Sequence, residues 1–186
     1  MGRTEKARGI FLSAVLVTAT FLAVLEVTAQ RATVPSPRSD TAPWVSPARD
    51  MDKAIARGDF MSAGDFRRDL YRSAIASGRW EAFLAAGDGV RRLGDATQSP
   101  RAAEPDARRL YLTALFRARS QSSLDGVLQT TEALARLGDH DMVLRGLAIA
   151  RDLAGPDPAA QLRVRAVEDQ WAPGPMAARE QGEDGP

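Results

Sequence analysis

No cysteine occurs anywhere in the 186 residues. Structural disulfides, thiolate metal sites, cysteine nucleophiles, thioether haem attachment and a lipid-modified cysteine are all excluded. There is a single histidine, His140, and lysine stands only at Lys6 and Lys53, so nearly all of the positive charge is arginine. Alanine is abundant wherever helical spacing runs, and that pairing matches the coding bias of a GC-rich bacterial genome. The formal net charge is +1 with both signs interspersed. No broad field of one sign draws in nucleic acid or acidic substrates, and no nucleic-acid partner is expected.

A long charge-free run is present near the start. Arg3, Lys6 and Arg8 precede Ile10 to Leu25, a stretch of Leu, Val, Phe and Ala without charge, Pro or Gly. As a helix it covers about 24 Å, and continuing through Glu26 to Ala29 nearly spans a bilayer with the carboxylate at the far interface. The basic flank keeps the N-terminus on the cytoplasmic side. Val27-Thr28-Ala29 before Gln30 also passes as a signal-peptidase site. Two readings follow: a single-pass anchor in the bacterial inner membrane with the body outside the cytoplasm, or a secreted or periplasmic protein cut between Ala29 and Gln30. The length of the run and its lack of a helix breaker favour the anchor.

The chain divides into residues 1–30 (anchor or signal peptide), 31–48 (linker), 49–171 (helical body) and 172–186 (tail). Pro35, Pro37, Pro43 and Pro47 predict an extended spacer in the linker. The tail has too few apolar groups to order itself. Within the body, apolar residues recur at three- and four-residue steps and never alternate as in a strand, so the fold class is all-α. One helix near Phe60 to Ser77 aligns Ala63, Phe66, Leu70 and Ala74. The next, near Arg79 to Leu93, aligns Trp80, Phe83, Leu84, Gly87 and Val90. Asp95 to Asp106, with two prolines, reads as a longer loop. Beyond it, Leu112, Leu115 and Phe116 form one face, and Leu124, Val127, Leu128, Thr131, Leu134 and Ala135 the next. A helix from Asp141 to Ala154 stops at Gly155-Pro156. The last is capped by Asp157, has Pro158 at its first position, and buries Ala160, Val164, Val167 and Trp171.

Two echoes recur along the body. Ala54 to Phe60 (AIARGDF) parallels Ala74 to Trp80 (AIASGRW), and Arg92-Leu93-Gly94-Asp95 parallels Arg136-Leu137-Gly138-Asp139. In each, Gly closes one helix, and in the first the aromatic two residues later, Phe60 or Trp80, opens the buried stripe of the next. This Gly-x-aromatic turn followed by a small residue, in Gly58, Phe60 and Ala63 and more loosely in Gly138, His140, Val143 and Ala150, resembles the helix-turn-helix units of tetratricopeptide-like repeat proteins. Here the echoes lie 20 and 44 residues apart, against roughly 34 in that repeat. The resemblance implies a short helical-hairpin solenoid that binds other proteins in a groove lined by the first helix of each pair.

Chemistry is sparse. Asp139-His140-Asp141 follows a helix-ending Gly, so its carboxylates are expected to cap the next helix rather than hold a metal. Asp50 with Asp52, and Asp65 with Asp69, sit among arginines as surface ion pairs. Gly87-Asp88-Gly89 lies in mid-helix without the strand or Lys-Ser/Thr of a phosphate loop; its small residues let another helix approach. The arginine pairs Arg67-Arg68, Arg91-Arg92 and Arg108-Arg109 read as solvated faces. No catalytic residue, metal site or cofactor is expected. The expected function is a membrane-tethered scaffold or assembly factor that binds proteins of the membrane or periplasm. The alternative is an accessory subunit of a larger membrane complex, for which Ser13, Ala14, Thr18 and Ala19 offer a small-residue packing face.

Overall fold

The computed structural model describes residues 42–171. The apolar run Ile10 to Leu25, the cut between Ala29 and Gln30, most of the linker and the tail lie outside the described residues. Among the described residues no helix is long and apolar enough to cross a membrane.

Those residues form seven helices and no strand: α1 (Val45–Ala56), α2 (Phe60–Ser77), α3 (Trp80–Ala96), α4 (Pro100–Ser120), α5 (Leu124–Arg136), α6 (His140–Ala154) and α7 (Pro158–Trp171). Turns of two or three residues join them, too short for anything but antiparallel neighbours. Helices α1, α3 and α5 end at residues 56, 96 and 136, and α2, α4 and α6 start at 60, 100 and 140. The turn within each hairpin therefore recurs every 40 residues, whereas the turns between hairpins, after residues 77, 120 and 154, are unevenly spaced.

The three turns within hairpins share one backbone geometry. Residues 58, 98 and 138 take positive φ of 72°, 55° and 75°. In each case the next residue's N–H reaches back to a carbonyl five residues earlier: Asp59 to Ala54 at 2.9 Å, Ser99 to Gly94 at 2.8 Å and Asp139 to Leu134 at 3.1 Å. This left-handed close satisfies carbonyls that the helix end would leave bare. Ser122, φ 52°, repeats it between α4 and α5, where Ser123 N–H meets the Ala118 carbonyl at 2.9 Å.

The odd-numbered helices touch one another, α1 with α3, α3 with α5 and α5 with α7, and no contact of that extent links α2 to α4 or α4 to α6. One layer is thus closed and the other is open between its helices. The core between the layers is built from α1 through α7. Tyr111, Met51, Leu70, Leu115, Leu134 and Val127 have the largest fully buried side chains. Thr130 and Thr131 are buried too, and each hydroxyl donates to its own helix, to Gly126 O at 2.6 Å and Val127 O at 2.8 Å. Neither hydroxyl is left without a partner.

Several expectations need correction. Proline does not keep 43–48 extended: α1 already runs from Val45, with Pro47 in the first turn, where backbone N–H groups have no helical partner to lose. Asp95 to Asp106 is not a loop. Helix α3 continues to Ala96 and α4 starts at Pro100, which suits the first helical position. Pro105 lies inside α4 on an exposed face, where it costs the helix the bond to the Arg101 carbonyl. Burial of Ala107, Leu110, Tyr111, Ala114 and Leu115 offsets that loss.

Phe60 and Phe116 do not join the buried stripes and remain 42% and 48% exposed. The second echo does not mark equivalent turns, because Gly94 sits inside α3 against Ala103, whereas Gly138 is a turn residue. The first echo pairs a turn within a hairpin, at Gly58, with a different turn between hairpins, at Gly78.

Candidate interaction grooves

Two grooves open on the looser layer. The first, about 240 Å³, lies between α2 and α4 with α3 as its floor, and is lined by Arg67, Tyr71, Val90, Asp106, Arg109 and Leu110. The second, about 380 Å³, lies between α4 and α6 and is lined by Phe116, Arg119, Arg145, Ala148, Ile149 and Asp152. Each holds two guanidinium groups, one carboxylate, a half-exposed aromatic ring and aliphatic carbon.

Their positions follow from the sequence. On α2, Arg67 and Tyr71 lie one turn apart beside the buried stripe of Ala63, Leu70 and Ala74, so they point past the core edge toward α4. On α4, Asp106 and Arg109 are one turn apart and make a loose ion pair of 3.7 Å. Among the described residues Arg67, Arg119 and Arg145 make no ion pair. The closed layer contrasts with this. There Arg92 of α3 bonds Asp52 of α1 at 2.8 Å, and Arg163 of α7 bonds Asp125 of α5, so these two pairs tie neighbouring helices to each other.

Helices α3 and α4 meet at the tightest crossing. Tyr111 is fully buried, and its ring occupies the space that a side chain at Gly87 would need. Its hydroxyl donates to Asp88 Oδ1 at 2.8 Å. Burial, followed by the Asp88 carboxylate, pushes the phenol well above its ordinary pKa, so it stays a neutral donor. This is a structural clamp, and the reading of Gly87-Asp88-Gly89 as a close-approach segment holds in it.

Gly58, Gly78 and Gly138 close helices with positive φ. Trp80 is buried, with its ring where a side chain at Gly126 would stand, while Phe60 is exposed. His140 is exposed at the start of α6. The Asp139 side chain makes no cap bond; its Oδ2 accepts instead from Arg108 Nε at 2.6 Å, because the turn aims it at α4. At the equivalent turn, Asp59 does cap, accepting from Ser62 N–H at 3.1 Å. Asp50 pairs with Lys53, Asp52 with Arg92, Asp65 with Arg68 and Asp69 with Arg72. Among the described residues no cluster of His, Asp or Glu could hold a metal ion.

Sequence reasoning missed Tyr71 and Tyr111. The signal for Tyr111 is the buried Ala107, Leu110, Ala114 and Ala118 at helical spacing around it. No protein-family model matches the chain, and the searches of curated proteins and of solved structures also return no match.

Proposed function

We propose that the chain is a membrane-tethered protein-binding scaffold or assembly factor whose helical body stands outside the cytoplasm. The observation that carries this reading is the series of helical hairpins, their internal turns 40 residues apart, with grooves left open along one layer. Stacked hairpins bury their core against their neighbours and leave a long surface that a partner can follow, which is the physical basis of recognition in solenoids of the tetratricopeptide-like kind. The spacing is longer than the roughly 34 residues of that repeat. The Arg3, Lys6 and Arg8 flank and the charge-free run from Ile10 to Leu25 supply the tether and its orientation.

Purification from native membranes in mild detergent, with the N-terminal residue and co-purifying proteins read together, tests both halves. The reading expects an intact N-terminus and a bound partner. An N-terminus at Gln30 would remove the tether, and a chain that always runs alone would remove the scaffold. A fixed-stoichiometry large complex would favour the accessory-subunit reading, which the small face of Ser13, Ala14, Thr18 and Ala19 supports.

A further inference from the structure

We infer that the open layer, and not the closed layer of α1, α3, α5 and α7, is the docking face, and that it takes a segment of another protein that offers each groove one carboxylate beside an apolar side chain. This rests on the binding reading and names the face and the partner's chemistry. Three observations converge on it.

The first is charge. Each groove carries two guanidinium groups against one carboxylate, and in each at least one arginine has no ion-pair partner among the described residues. A planar guanidinium at the rim of an apolar cleft matches a carboxylate in geometry as well as sign. On the closed layer Arg92 and Arg163 are engaged by Asp52 and Asp125, and a partner seated on those two residues would have to break bonds between helices.

The second is the apolar component. Tyr71 and Phe116 are each 48% exposed, on the walls of the two grooves, next to Val90 and Leu110 in one and Ile149 in the other. Water is held against carbon at both places, and a partner's side chain would displace it. The volumes suit single side chains entering from a peptide laid across α4.

The third is the acid inside each groove. Asp106 and Asp152 would repel a phosphate chain or an anionic lipid headgroup, which carry more charge than the excess of one arginine can neutralise. An isolated carboxylate next to a hydrophobic side chain meets no such penalty.

The test uses the full chain in its native membranes, with Tyr71→p-benzoylphenylalanine as a photo-crosslinker in the first groove and Gln129→p-benzoylphenylalanine on the exposed face of α5. The inference expects Tyr71 crosslinks to a peptide of another protein with an Asp or Glu residue beside the crosslinked apolar position. Adding Arg67→Glu should lower the yield about tenfold, the loss of one charge-assisted bond. Arg101→Glu, exposed and outside both grooves, should leave it unchanged. Circular dichroism on each variant checks that the helices persist.

Crosslinks from Gln129 with none from Tyr71 overturn this inference and leave the scaffold reading standing. No crosslink from either position overturns both. Tyr71 crosslinks to residues 172–186 of the same chain, to a second copy, to lipid or to a segment without carboxylates also overturn the inference, as does insensitivity to Arg67→Glu.

Discussion

At Gly87 a missing methyl group decides how α3 and α4 meet. A Cβ there would stand 2.4 Å from Tyr111 Cε1 and 2.6 Å from Cδ1. The ring cannot swing aside, because it is fully buried and its hydroxyl is held by Asp88. Gly87→Ala is therefore expected to destabilise the fold by about 1–3 kcal/mol, the cost of overpacking, despite alanine's better helix propensity. Gly64, in mid-α2, is the control: a Cβ there meets nothing within 4 Å. Gly64→Ala should gain about 0.5–1 kcal/mol. Denaturant unfolding of the two variants checks the pair, and a Gly87→Ala protein as stable as the parent would refute the close approach. Glycine in an otherwise strong helix pattern showed in advance that something comes near. Which side chain comes near was not legible, since Tyr111 lies 24 positions away and only the hairpin brings it opposite.

At the scale of the elements, three turns share one geometry. Gly58, Gln98 and Gly138 occupy the same left-handed position at 40-residue spacing, and only Gln98 has a Cβ to strain there. Gln98→Gly should stabilise the protein by about 1 kcal/mol, and Gly58→Ala or Gly138→Ala should cost about as much, since an L side chain pays that penalty in this conformation. Thermal unfolding of the three variants reads the signs directly. Equal midpoints for Gln98→Gly and parent would mean that the turn at 98 is not under that strain. This position also explains why the period escaped the sequence. The helix spans of α2, α6 and α7 were legible from apolar spacing and caps, but Gln98 broke the Gly series. The prolines at 100 and 105 then disguised the first turns of α4 as a loop, and Gly94 offered a false match to Gly138. The grooves were less legible still. Arg67, Tyr71, Asp106 and Arg109 are ordinary surface residues until α2 and α4 are set on either side of α3.

At the scale of the described body, each hairpin leans mainly on its neighbours, so stability should vary along the stack and not be shared evenly. Helix α3 is central: it buries Trp80, Ala82, Phe83, Ala86, Gly87, Gly89, Val90 and Gly94 and touches α1, α2, α4 and α5. Helix α7 is terminal and buries Val164 and Val167, resting on α5 and α6. About 25 cal/mol for each Å² of apolar surface favours the centre strongly over the end, while both helices lose similar backbone entropy per residue. Native-state hydrogen exchange should therefore show α7 opening first, at a free energy well below that of global unfolding, with the amides of α3 and of α4 near Tyr111 exchanging last. Val164→Ala sharpens the test. It removes one of the two buried anchors of α7 and should speed exchange in α7 roughly tenfold or more, for a loss of about 1.5–3 kcal/mol. Protection in α1 to α3 should stay unchanged, because those helices make no substantial contact with α7. If Val164→Ala instead lowered protection uniformly from α1 to α7, the body would be one cooperative unit, and the near-neighbour view of its stack would fail.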